Sequence, residues 1–172
     1  MTLDFTLIRS KLFGGALTQS QVDGLNALMT TFDNNVVVDK RFRAYMMATT
    51  YHETGREMQP IEEWGKGLGQ PYAPLWYGRG YVQLTWQYNY VRMTPIAGVD
   101  LVKNPAAALE PEPAGLILIY GMTHGSFTGK KLADYFTATS ANPVNARRII
   151  NGTDCAAEIA SYYQIFMTAL GE

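Results

Sequence analysis

Apolar side chains recur at helical spacing along most of the chain, and glycine, proline and short polar residues cut that pattern into segments. Residues 3–13 read as a short amphipathic helix closed by Gly14-Gly15. Thr18-Gln19-Ser20-Gln21 has the form of a capping box, in which threonine and a glutamine three residues later satisfy each other's backbone amides. It predicts a helix with Val22, Leu25, Leu28 and Met29 on its inner face, ending at Asp33-Asn34-Asn35. Val36-Val37-Val38 is too short to assign. Asp39 is placed to cap a third helix, which carries Phe42, Tyr45, Met46 and Thr49 and stops at Glu53-Thr54-Gly55.

Beyond that glycine the pattern lapses. Pro60, Gly65, Gly67, Gly69, Pro71 and Pro74 predict a long shaped loop over residues 56–80. Tyr81-Val82-Gln83-Leu84-Thr85 alternates and predicts a short strand, with Tyr81, Gln83 and Thr85 on one face. Thr85 should then cap a helix from Trp86 to Ala97. Asn104-Pro105 opens a short helix through Leu109, and Pro113 opens the most apolar run, Ala114 to Met122, expected to be the central buried helix. That run is far too short to cross a membrane. A short helix follows from Lys130 to Phe136, and Asn142-Pro143 opens another that ends at Asn151-Gly152. Thr153-Asp154 should cap the last, which runs to Leu170. No repeat, linker or composition break divides the chain. The expected fold is one mainly α-helical domain over residues 1–172, with a small β-hairpin or sheet near residues 78–85.

Composition narrows the functional classes. With 172 residues, 47% hydrophobic and 17% charged, the chain can bury a core without disulfides. A net charge of −1 gives no electrostatic reason to expect nucleic acid or an anionic membrane as a partner. Cys155 is alone, so no internal disulfide forms, and its place in the predicted first turn of the last helix reads as a buried structural thiol. The first ten residues lack the basic head and apolar run of a secretory signal, so synthesis in the cytoplasm is expected. Any target beyond the membrane would be reached with another factor's help.

Candidate chemistry centres on the end of the third helix. His52-Glu53 begins like the zinc motif H-E-x-x-H, but position 56 is Arg and the other histidine is His124, so no metal is expected. A nucleophile pair of Cys155 with His52 or His124 stays open. Gly65-Lys66-Gly67-Leu68-Gly69-Gln70 resembles a dinucleotide loop only until Gln70 replaces the third glycine. Glu53 is more informative. A glutamate at a helix C-terminus faces the negative end of the macrodipole, at a cost of roughly 0.3–1 kcal/mol. With Met46, Thr49 and Thr50 behind it, its carboxyl should be pushed towards the neutral form, which suits a general acid. Glu62-Glu63 follows on the loop, and two carboxyls on neighbouring segments are what a glycosidase requires. An ordinary surface glutamate is the competing reading.

Four ordered motifs then carry a resemblance: His52-Glu53-Thr54-Gly55; Pro60-Ile61-Glu62-Glu63; Tyr77-Gly78-Arg79-Gly80-Tyr81-Val82-Gln83-Leu84-Thr85-Trp86 with Asn89-Tyr90; and Arg148-Ile149-Ile150-Asn151-Gly152. Together they resemble the family 19 glycoside hydrolases, most of all the phage endolysin branch. Leu12-Phe13-Gly14-Gly15 and Gln19-Ser20-Gln21-Val22 resemble that branch too.

The resemblance implies a lysozyme-like helical domain and an inverting mechanism. It makes Glu53 the general acid and puts the water-activating carboxylate at Glu63, by the endolysin pattern, or at Glu62, by the nine-residue interval of other branches. It makes Thr85 the residue that holds the attacking water, and Gln83, Asn89 and Asn151 sugar-binding amides. Gln83 and Thr85 on one strand face, with Asn89 a helical turn beyond, could line one wall. Arg148 could orient the second carboxylate, and Tyr81 and Trp86 are stacking candidates, with a place in the core as the plainer alternative. The implied function is a cofactor-free muramidase-type endolysin that cuts β-1,4 bonds of bacterial peptidoglycan. It would be a monomer released to the wall through a separate pore-forming protein. The alternatives are a chitinase acting on chitin oligomers and a non-catalytic wall-binding module of the same fold.

Overall fold

A computed structural model describes residues 1–171. Six helices form the body: α1 (Phe5–Leu12), α2 (Gln19–Asn34), α3 (Lys40–Glu53), α4 (Gln87–Ala97), α5 (Pro111–His124) and α6 (Ala156–Ala169). The sheet is two short antiparallel strands, β1 (Ile61–Glu62) and β2 (Arg79–Gly80), paired Ile61 to Gly80 and Glu62 to Arg79. The mainly α fold with a small hairpin near residue 80 is therefore as expected. Among the described residues, no helix is long and apolar enough to cross a membrane.

The centre of the fold is α3. Every residue from Arg43 to Tyr51 is buried, so this helix is covered all round instead of on one stripe. It packs chiefly against α6, while α5 packs against α2 and α4. The expectation that the apolar run of α5 is central is corrected: Leu116, Ile119 and Tyr120 remain partly exposed. Thr49 and Thr50 make α3 look half polar in sequence, yet both are in the interior.

The capping box of α2 is present, with Thr18 Oγ1 accepting from Gln21 N at 3.2 Å and Gln21 Oε1 accepting from Thr18 N at 2.9 Å. Asp39 caps α3 by accepting from Arg41 N at 2.9 Å. Other boundaries shift. Residues 81–85 form a turn, not a strand: Leu84 folds back onto Arg79, and Gln83 takes a φ of 53°. Tyr81, Val82 and Leu84 are all buried, whereas a strand with one face to solvent would expose alternate residues. Thr85 does not cap α4, because Trp86 occupies that position with a φ of 73° and no side-chain cap. The segments expected as helices at 130–136 and 142–152 contain only the 3-10 turns Leu132–Asp134 and Asn145–Ile149. Thr153 and Asp154 do not cap α6, where Cys155 stands at the N-cap in the left-handed region.

Gly24 on α2 anchors the start of the hairpin loop. A Cβ there would lie 2.0 Å from the carbonyl oxygen of Met58, a contact that requires the backbone to move. Gly24→Ala should therefore cost about 1–3 kcal/mol or more of stability. Urea denaturation checks this, and an unchanged midpoint would show that the helix and loop are not in contact there.

Candidate active site

Glu53 closes the buried helix α3, with Thr54 as its C-cap. Its side chain is 16% exposed, and Oε1 receives Arg147 Nη1 at 2.5 Å. Arg147 is 4% exposed and also donates to the carbonyl of Asp154 at 3.1 Å and to its carboxylate at 3.2 Å. One guanidinium thus joins the end of α3 to the segment that opens α6. This fork geometry is the bidentate-capable pairing for which arginine is suited. The sequence expectation of a lone carboxyl whose surroundings disfavour charge is corrected here, because the fold gives Glu53 a buried cation as its partner.

That cation is not the arginine expected. Arg148 is exposed, its carbonyl accepts from Thr128 Oγ1, and it pairs with no carboxylate among the described residues. The 3-10 turn over Asn145–Ile149 directs Arg147 inward and leaves its neighbour outside. No periodicity distinguishes adjacent arginines in a non-α turn.

The two loop glutamates behave differently. Glu62, on β1, accepts from Lys66 Nζ at 3.1 Å and from the Tyr77 hydroxyl at 3.0 Å. The Lys66 contact first, and then the Tyr77 hydroxyl, hold its carboxyl below the usual carboxylate range, so it is ionised at neutral pH. Its side chain is 38% exposed. Glu63 is tied into the loop: one oxygen accepts from Gly78 N at 2.9 Å, the other from the Tyr72 hydroxyl at 2.9 Å. Its own amide donates to the Gly78 carbonyl at 2.7 Å.

Behind this hairpin sits Arg79, buried without a carboxylate partner among the described residues. It donates to the Leu75 carbonyl and the Tyr90 hydroxyl, each at 2.8 Å, and lies 3.6 Å from the Tyr77 ring centroid. It pins the loop to α4, a role the motif spacing does not reveal.

Gln83, Thr85, Trp86 and Asn89 line one groove of 220 Å³, together with Tyr88. The expected grouping of the two amides and the hydroxyl therefore holds, though a turn produces it and not a strand face. Thr85 Oγ1 donates to the Gln83 carbonyl at 2.7 Å, which leaves its lone pairs to accept from a water. The Gln83 amide donates to the Ile61 and Gly80 carbonyls at 3.2 and 3.3 Å, and Asn89 donates to the Thr85 carbonyl at 2.8 Å. Their own carbonyl oxygens remain as acceptors for sugar hydroxyls. Gly78 makes room for this, since a Cβ there would meet Gln83 Oε1 at 2.8 Å.

Trp86 is 40% exposed and stacks with Tyr88 at 6.4 Å between centroids, so it offers an aromatic surface. Tyr81 does not. It is 1% exposed, and burial pushes its hydroxyl pKa upwards, so it is a core residue with no face for a sugar. Asn151 is exposed and its Oδ1 accepts from Gly152 N at 2.9 Å, a local turn contact. Cys155 is exposed, which corrects the buried-thiol expectation. A larger surface depression, 590 Å³ between α1 and the start of α2, contains no carboxylate or histidine and has no part in this chemistry.

No protein-family model matches the chain. Its fold is nonetheless that of the family 19 chitinases. Chitinase C from Streptomyces griseus HUT6037 superposes with a TM-score of 0.67 and 20% identity, over 98% of this chain and 76% of that one. A bacterial family 19 chitinase superposes with a TM-score of 0.62 and 21% identity, over 98% and 94% of the respective chains. In sequence, Endochitinase 1 of Theobroma cacao is 34% identical over 100 residues, which span 46% of this chain and only 30% of that protein.

Arg147→Ala leaves Glu53 and Asp154 without their shared cation and should cost about 3 kcal/mol. Thermal denaturation checks this; Arg148→Ala, measured alongside, should fall within about 0.5 kcal/mol of the parent.

Proposed function

We propose that the chain is a glycoside hydrolase that cleaves β-1,4 bonds between amino sugars of bacterial peptidoglycan by single displacement. The observation that carries this reading is Glu53, a carboxyl fixed by Arg147 at the end of a fully buried helix and still accessible at one edge. Glu53 donates its proton to the glycosidic oxygen, and a second carboxylate activates water on the far face of the sugar. Thr85 holds that water, and Gln83 and Asn89 bind the sugar.

For the second carboxylate we favour Glu62 over Glu63. Both oxygens of Glu63 are engaged in holding the loop to Gly78 and Tyr72. Glu62 is ionised, more exposed, and its ammonium partner Lys66 is itself 63% exposed and easily displaced. The endolysin-like motif order favours wall glycan and a lytic role, with release through a separate pore-forming protein. The rim of the hairpin region, with Trp64 fully exposed and Tyr88 66% exposed, suits the apolar faces of a polymeric sugar. Chitin is the second reading, favoured by the chitinases that share the fold.

Purified protein assayed on peptidoglycan and chitin hexamer side by side tests both. Wall glycan should be cleaved, and Glu53→Gln should lose on the order of 10²-fold or more. Turnover of chitin alone would replace the substrate, and a Glu53→Gln variant as active as the parent would remove the mechanism. Glu62→Gln should abolish turnover with little change in Tm, whereas Glu63→Gln should chiefly lower Tm. The reverse pattern would return the base to Glu63.

A further inference from the structure

The end of α3 and the start of α6 bring together a group of side chains that the proposed hydrolysis does not use. An imidazole nitrogen of His52, the thiol of Cys155 and a carboxylate oxygen of Glu158 all lie within 4.8 Å of one another. The H-E-x-x-H comparison failed because it sought both ligands on one helix. The fold supplies the others from the N-cap and first turn of α6, about a hundred residues away in sequence.

We propose that His52, Cys155 and Glu158 form a surface site for a borderline-soft divalent cation of the zinc class. The donor set of one imidazole, one thiolate and one carboxylate suits that class and is poorly matched to magnesium or calcium, which take oxygen ligands. Around a tetrahedral zinc, ligand atoms stand roughly 3.3–3.8 Å apart, so closure requires side-chain movement of about 1 Å. A thiolate and a carboxylate together neutralise the ion's two charges. Binding releases the thiol proton as the sulfur–metal bond forms, and water completes the coordination.

Two further features favour this over chance proximity. Cys155 holds a φ of 54° at the N-cap of α6, a conformation uncommon for a residue with a Cβ, and makes no side-chain cap bond that would account for it. Glu158 is already oriented: the Tyr162 hydroxyl donates to its Oε1. Hydrogen bonding to a ligating carboxylate is the usual support of a metal site. Tyr162 is itself held edge-on against Tyr51 of α3 at 4.7 Å. Arg56 lies at the margin, its guanidinium 5.8 Å from the Tyr51 ring centroid, and is a cation that a bound metal would have to tolerate.

The site also has a position that matters. His52 and Cys155 are the chain neighbours of Glu53 and Asp154, the two carboxylates that Arg147 joins. A bound ion would therefore clamp the same helix ends from the outer side.

Cobalt(II) titration of the full chain tests the proposal without reference to hydrolysis. One equivalent should bind with a thiolate-to-cobalt charge-transfer band, and zinc should displace it and protect Cys155, the chain's sole thiol, from alkylation. Cys155→Ser should remove the band, and His52→Ala and Glu158→Gln should each weaken binding by at least about tenfold. Absence of the band in the parent, an unchanged affinity in His52→Ala, or alkylation at the same rate with and without zinc would each overturn it. None of these readouts depends on whether the chain cleaves glycan.

Discussion

Arg147 is the contact on which the arrangement of this molecule turns. A guanidinium that is 4% exposed carries its charge into the protein only because Glu53 and Asp154 receive it. The burial of α3 brings Glu53 to the place where this is possible. The 3-10 turn over Asn145–Ile149 brings the arginine, and α6 starts immediately after the second carboxylate. Removing Glu53 would leave the buried guanidinium with only the exposed Asp154, and removing Arg147 would leave Glu53 largely shielded from water without a cation, so the pair is costly to break. The same pairing holds Glu53 in one orientation, which a proton donor to a glycosidic oxygen requires.

The hairpin that carries the proposed base is made differently. The hairpin has two residues in each strand, too few to be stable by pairing alone. Its shape depends instead on side chains closing onto backbone: Glu63 on Gly78, Arg79 on Leu75 and Tyr90, Gln83 on Ile61 and Gly80. Most of these are bonds from a charged or amide group to a fixed carbonyl or amide. The proposed acid is thus a rigid carboxyl on a buried helix, while the proposed base is mounted on a polar, glycine-turned loop, where sequence can vary without disturbing the core.

The regular parts of this design were legible in the sequence. The capping box at Thr18, the cap at Asp39 and the stop at Glu53 follow from local chemistry that acts within a few residues, and each is present. The failures share a cause. Tyr81 to Thr85 alternates like a strand, but the turn that buries Tyr81, Val82 and Leu84 together depends on positive φ at Gln83 and Trp86, which no pattern of polarity reports. Choosing Arg148 over Arg147, and burying Cys155, both required knowing the phase of a segment that is not an α-helix. The hydrogen bonds that distinguish Glu62 from Glu63 come from Lys66, Tyr72, Tyr77 and Gly78, brought together only by the loop's closure.

The central claim is chemical: acid and base on opposite sides of the bond, with water delivered directly and no covalent sugar-enzyme intermediate. Proton NMR of the first products released from a β-linked substrate reads this directly. Single displacement predicts that the α-anomer of the new reducing end appears first and the β-anomer grows in by mutarotation. Initial release of the β-anomer would require double displacement, and would contradict the roles proposed for Glu53, Glu62 and Thr85.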